Sequence, residues 1–241
     1  MRIVAIHIGI TFHHGNIALD RDKGYRKVAV MENRHRHKTK NRLNAWLLSG
    51  AEAYMHRKYG PRKRAIFGDL PREVVEIGPG SGANFRYYAA GTRLTAIEPN
   101  PAMHPRLRAS AARWGIELTI RGLKGEHLDM ADQSVAAVVA TLVLCSVDSP
   151  RKVVSEIRRI LKPGGRFVFL EHVAAMHGTP LSRFQEVLAR PWQWAFDGCH
   201  LNRETNRVLG QAGFAALNMD CFMLKTPAVM VMPHIFGVAV N

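Results

Sequence analysis

From Glu73 onward the chain alternates between two periodicities, and that alternation leaves few folds open. "EVVEI", "RLTAIE", "IELTIRG", "SVAAVVATLVL" and "RFVFLEHV" are short, apolar and rich in β-branched residues, so they read as buried strands. "GANFRYYAA", "PAMHPRLRASAARWG" and "SPRKVVSEIRRIL" between them read as helices, and "LKPGG" as the turn into the fifth strand. Strands joined by helices of this length run parallel, with helices on both faces of the sheet. Two more helices, "PLSRFQEVLARPWQWAFDGC" and "NRETNRVLGQAGF", precede late strands near 214–223 and 234–240, which suit a closing hairpin. The expected architecture is α/β: a doubly wound, mostly parallel, seven-stranded Rossmann-like sheet over residues 73–241.

Two segments precede it. Residues 41–72 form a helical extension, with Leu43, Trp46, Leu47, Ala51 and Tyr54 at helical spacing. Pro61 and the basic residues after it are expected to end that helix, and a second short helix runs to Leu70. Residues 1–40 are expected to form a basic segment, poorly ordered or only loosely packed. "MRIVAIHIGITFHHG" lacks a small-residue cleavage site, and no apolar run approaches the ~20 residues that span a bilayer. It reads as neither signal peptide nor anchor.

The net charge of +15 is unevenly spread. Residues 1–73 carry sixteen Lys/Arg against six Asp/Glu, whereas the rest carry eighteen against thirteen. Basicity is therefore an N-terminal property. "RKVAVMENRHRHKTKNR" (26–42) is either a solvated tail or a segment drawn to anionic lipid or nucleic acid. Aromatic residues are not interleaved with this charge, so a base-stacking surface is not expected. Cys145, Cys199 and Cys221 form no CxxC pair, and the twelve histidines show no HExxH. No disulfide framework and no metal site is expected, and a reducing cytoplasm fits.

The chemistry centres on Gly78-Pro79-Gly80-Ser81-Gly82-Ala83 after the first strand. It meets GxGxxA, a weak dinucleotide signature, and lacks the GxxxxGK[ST] of a phosphate loop. Glu76, two residues before Gly78, would repel a pyrophosphate but attract a ligand with an amino group and a positive charge. Glu98, twenty residues after Gly78, suits ribose hydroxyls in either ligand type.

With "AIEPNP", "GEHLDMADQSV" and "RRILKPGG", the stretch "EIGPGSG" resembles class I S-adenosylmethionine-dependent methyltransferases of the type 11 group, over roughly residues 73–175. "GANFRYY", "TLVLCSV", "EHVAA", "FDGC" and "PHIFGVAV" narrow the resemblance to the methyltransferase-like protein seven family, the alkyl thiol S-methyltransferases. That resemblance implies S-adenosyl-L-methionine as cofactor and a small apolar thiol as acceptor, with a lipid or other small molecule methylated on N or O as the alternative. A nucleic-acid methyltransferase and a nicotinamide-dependent dehydrogenase rank below both. Animal members of the family open with a hydrophobic anchoring helix. A basic segment stands here instead, so only peripheral contact with anionic membrane is expected, in a cytoplasmic protein.

On this reading Glu76, Gly78, Gly80, Gly82, Glu98, Pro99, Thr141 and Leu142 hold the cofactor. Asn84 and Phe85 either contact it or cap and pack. Many type 11 enzymes place an acid where Lys124 stands, so Glu126 and His127 are the expected adenine neighbours. The acceptor belongs outside the carboxyl ends of the strands. His172 is the preferred base, or else a strand-end histidine bonded to backbone. Asp197 either orients a histidine or forms a turn. Cys145, Glu171, Trp192, His200 and His234 line the pocket, with a buried, inert thiol the favoured reading of Cys145.

Overall fold

The structure, a computed structural model, describes residues 55–196, 198–225 and 231–241. Residues 1–40 and the first part of the 41–72 extension lie outside them, as does Asp197. The strands are β1 (Glu73–Ile77), β2 (Arg93–Ile97), β3 (Glu117–Arg121), β4 (Val135–Thr141), β5 (Leu161–His172), β6 (Ala216–Lys225) and β7 (Val231–Val240). They make one sheet in the order β3-β2-β1-β4-β5-β7-β6. The first five strands pair in parallel, while β7 runs antiparallel to both β5 and β6. The helices are α1 (described over residues 55–67), α2 (His104–Trp114), α3 (Pro150–Ile160), α4 (Pro180–Ala195) and α5 (Thr205–Gly210).

Strand alternation divides the core. Val75 and Ile77, Val138 and Ala140, and Phe167 and Phe169 point to one face and pack with Val153, Ile157 and Ile160 of α3 and Leu209 of α5. Val74, Leu94, Ala96, Val139 and Val168 point to the other, beneath Phe67 of α1 and Leu107 and Ala111 of α2. Each fully buried Val, Leu, Ile or Phe among them contributes about 1.5–3 kcal/mol. Both faces are covered, as the near-continuous apolar runs require. Among the described residues no helix is long and apolar enough to cross a membrane.

Four local readings differ from the structure. "LKPGG" does not precede the fifth strand but lies within β5, as an irregularity between the Val135–Leu161 and Ala137–Arg166 pairs with Gly164 at φ +74°. Pro61 does not end its helix, because α1 continues unbroken through it to residue 67. Tyr59, Lys63 and Phe67 recur every four residues on its buried face, and that packing outweighs the one backbone hydrogen bond proline removes. No α-helix follows the glycine turn. Only a single 3-10 turn, Phe85–Tyr87, forms there, because side-chain bonds hold Asn84 and Tyr88, and Gly91 (φ +78°) turns the chain into β2. The fourth strand stops at Thr141 rather than running through Leu144, since Leu142 takes φ +58° and turns the backbone out of the sheet.

Candidate active site

The glycine turn sits at the carboxyl ends of β1, β2 and β4. Gly78 N–H donates to Ile97 O at 2.9 Å, extending the β1–β2 pairing past the strand end. Its φ is +60°, and a Cβ there would lie 2.7 Å from Val143 Cγ2, so no other residue fits. Gly80 differs. Its φ is +58°, but no atom lies within 4 Å of where a Cβ would stand, so this stretch of backbone faces open space. Its N–H donates to Glu98 Oε2 at 3.0 Å, while Asn100 N–H donates to Glu98 Oε1 at 2.9 Å. The carboxylate just past β2 is thereby braced against the turn. Pro99 beside it is exposed.

Glu76, 1% exposed, anchors a polar network beneath the same turn. Asn84 Nδ2 donates to Glu76 Oε1 at 2.7 Å and to Thr141 Oγ1 at 2.8 Å, and Tyr88 Oη donates to Glu76 Oε2 at 2.8 Å. Lys63 Nζ of α1 donates to Asn84 Oδ1 at 2.6 Å. Burial pushes Glu76 up to about 7, against the pull of Asn84, Tyr88 and Lys63, and pushes Lys63 down to about 8. Lys63, the cation of this network, reaches Glu76 through Asn84 rather than by a direct ion pair. Phe85 is fully buried in the core below, so of the two residues left open by the sequence Asn84 organises the site and Phe85 packs.

A second cluster lies at the ends of β4 and β5. Glu171 is fully buried and reaches the loop after β4, where Oε1 accepts from Val143 N–H at 2.9 Å and Leu144 N–H at 3.0 Å. Oε2 faces Cys145 N–H at 3.4 Å. Burial outweighs these three donors and pushes the carboxyl up to about 7. His172, the next residue, brings Nε2 to 2.7 Å from Cys199 Sγ, and Cys199 Sγ lies 3.8 Å from Cys145 Sγ. His172 Nδ1 is buried without a partner among the described residues. Contacts from Cys145, His172 and Trp192 hold Cys199 down to about 4, whereas Cys145 is pushed well above the usual thiol range.

Other expected residues take supporting places. His234 is neutral and saturated: it donates Nδ1–H to Met232 O at 2.9 Å and accepts from Tyr59 Oη at 2.8 Å, and burial drops it to about 4. Trp192 Nε1–H donates to Cys199 Sγ at 3.3 Å, whereas Trp194 is 70% exposed. Gln193 Nε2 donates to His200 Nδ1 at 2.7 Å, and burial lowers that imidazole. Glu126 accepts from Ser149 N–H, at the N-cap of α3, at 3.1 Å, and His127 beside it is exposed. The sequence reading missed Cys199, Lys63, Tyr88 and Tyr59. Tyr59 and Lys63 were legible as an i, i+4 pair in line with Phe67, but lay hidden in a basic stretch. Cys199 carries no local signal, since its neighbours here come from positions 145 and 172.

A seven-stranded sheet of this order, with a glycine turn and an acid at the first two strand ends, defines the class I S-adenosylmethionine-dependent methyltransferases. The family described as a methyltransferase domain matches residues 75–169. A Thermotoga maritima structure, described as an S-adenosylmethionine-dependent methyltransferase and possible histamine N-methyltransferase, has the same fold (TM-score 0.58, 20% identity, 80% of this chain and 95% of that one). Among sequences, thiol S-methyltransferase TMT1B of Rattus norvegicus is 37% identical over 207 residues, covering 81% of this chain and 85% of its own. Thiol S-methyltransferase TMT1A of Homo sapiens is 39% identical over 192 residues, covering 75% and 78%. This chain belongs to the family of those thiol S-methyltransferases.

Proposed function

We propose that the protein transfers the methyl group of S-adenosyl-L-methionine to the sulfur of a small, apolar thiol. The reading is carried by 37–39% identity to thiol S-methyltransferases across three quarters or more of the chain. The crevice residues suit the cofactor. The open backbone at Gly80 admits close approach of the methionine half, with Gly78 and Gly82 shaping the turn, and Glu98 offers its carboxylate to ribose hydroxyls. Glu76 meets Lys63 only through Asn84, and the ammonium group of the cofactor would give it a direct cationic partner. Thr141 and Leu142 lie where β4 ends, on the sulfonium side. Pro99, Glu126 and His127 border the adenine side.

S-adenosylmethionine supplies a methyl group already activated by sulfonium charge. The chain has to align an acceptor with it and exclude water. A thiol of pKa near 8.5 is only a few per cent thiolate at neutral pH, so the acceptor side must also favour loss of its proton. His172, Cys145 and Cys199 are the groups gathered there.

The test is turnover of a panel holding an aliphatic thiol, an ethanolamine lipid and a catechol, with mass spectrometry reading S-adenosylhomocysteine and the methylated acceptor. S-methyl product that disappears in Glu98→Ala supports the reading. Turnover with the lipid or catechol alone moves it to an N- or O-methyltransferase. The basic segment 26–42 is proposed to touch anionic membrane. Sedimentation with phosphatidylserine vesicles, with and without residues 1–40, tests that, and equal recovery in the supernatant counts against it.

A further inference from the structure

We infer that Cys145, His172 and Cys199 are a metal site, a Cys₂His set that binds zinc and leaves its fourth position to the acceptor thiol. The inference rests on the thiol chemistry proposed above. The three ligand atoms lie within 4.8 Å of one another and all three residues are buried. Zinc–sulfur bonds of about 2.3 Å at a tetrahedral angle place two sulfurs about 3.8 Å apart. Cys145 Sγ and Cys199 Sγ stand at that 3.8 Å. The same geometry calls for about 3.5 Å between nitrogen and sulfur, so the 2.7 Å contact of His172 Nε2 with Cys199 Sγ opens by roughly 0.8 Å, within the reach of a ring rotation.

The donors come from three separate places: the loop after β4, the end of β5 and the turn after α4. Each backbone is pinned. Cys145 N–H faces Glu171 and its carbonyl accepts from His200 N–H at 2.9 Å; Cys199 N–H donates to Phe196 O at 3.1 Å; His172 lies in the β5–β7 ladder opposite His234. Trp192 Nε1–H already donates to Cys199 Sγ, the kind of outer contact that orients a thiolate ligand. A pair of inert buried thiols does not call for an imidazole, and this imidazole sets its Nε2 against the Cys199 sulfur. Two thiolates and one imidazole are soft and borderline donors, suited to zinc rather than to magnesium or calcium.

Among the described residues no fourth Cys, His, Asp or Glu joins the group. Glu171 is engaged by the loop amides, and both nitrogens of His234 are bonded. Three protein ligands with an open position is the pattern of zinc sites that bind a reactant. An acceptor R–SH would bind through sulfur and release its proton to solvent. The thiolate electron pair then forms the bond to the methyl carbon as the methyl–sulfonium bond breaks, giving R–S–CH₃ and S-adenosylhomocysteine. The thioether, a far weaker ligand than a thiolate, leaves.

The full-length protein, purified under reducing conditions, is assayed for metal by plasma mass spectrometry. About one zinc per chain is expected, with affinity about 100-fold lower or worse in Cys145→Ser, Cys199→Ser and His172→Ala, and unchanged in Cys221→Ser. Circular dichroism checks that each variant folds. The cobalt-substituted protein, given an alkanethiol without cofactor, should change its visible spectrum. Metal binding with a spectrum indifferent to thiol overturns the acceptor position. No metal in folded protein, or a Cys145–Cys199 disulfide in its place, overturns the site. S-methyl product from metal-free protein leaves the proposed function standing without the site. A cobalt response to thiol without S-methyl product does the reverse.

Discussion

Glu76 and Glu171 close the two strands that flank β4, and both are wholly buried carboxyls pushed up to about 7. Their partners divide the molecule. Glu76 is met by side chains, Asn84 and Tyr88, with Lys63 behind them. Glu171 is met by the backbone amides of residues 143–145. Side chains can turn aside when a charged ligand arrives, whereas a run of amides cannot. The first carboxyl thus belongs to an adjustable binding network, and the second is a splint that fixes the loop carrying Cys145.

The largest blow to that contrast is Glu171→Ala. It strands buried N–H groups and should cost about 4 kcal/mol, lowering Tm by about 10 °C in thermal unfolding. Glu171→Gln, which keeps an acceptor oxygen, should lose less than half as much.

Next comes pH. A carboxyl whose folded pKa, about 7, exceeds its unfolded value, 4.5, holds its proton more tightly when folded. Its contribution is fully present below pH 4.5 and is lost as pH rises through about 7. The 2.5-unit difference corresponds to about 3 kcal/mol. Urea unfolding across this range should show a stability slope that Glu76→Gln reduces. Saturating cofactor should reduce it too, since an ammonium beside Glu76 favours the ionised form.

Glu98→Ala should weaken S-adenosylhomocysteine binding about 10–100-fold by calorimetry, through loss of charge-assisted hydrogen bonds. Its Tm should stay within about 3 °C of the parent. The smallest effect is expected from Tyr59→Phe. It removes the hydroxyl that serves His234 and should cost about 1 kcal/mol in chemical unfolding, with cofactor affinity unchanged.

The same division governs what can be read from sequence. The crevice is built by residues close along the chain: Glu76, Gly78, Gly80 and Asn84 lie within nine positions, and Glu98 stands one strand further on. Such a site leaves a local pattern, and parallel pairing follows from the helices between strands, whereas the order in which the strands lie does not. The second cluster is built from positions 145, 172, 199 and 234, which meet only because β4, β5 and β7 adjoin. Cys145, His172 and His234 could be named singly but Cys199 could not, and the absence of CxxC said nothing about cysteines 54 positions apart. Local errors had local causes. Pro61 was read by propensity where packing decided, and the helix after the glycine turn gave way to side-chain bonds that pattern does not reveal.

The position of β7 has a consequence for assembly. It follows β6 along the chain yet lies inside it, between β5 and β6. During synthesis the strands of the glycine crevice can pair as soon as β4 emerges. The edge of β5 stays unpaired until nearly seventy more residues have been made and the hairpin can dock in one step. Long-range closure of that kind is slow and exposes a sticky strand edge meanwhile. The half that carries the glycine turn is therefore ready early, and the half that carries Cys145, His172 and His234 is completed late.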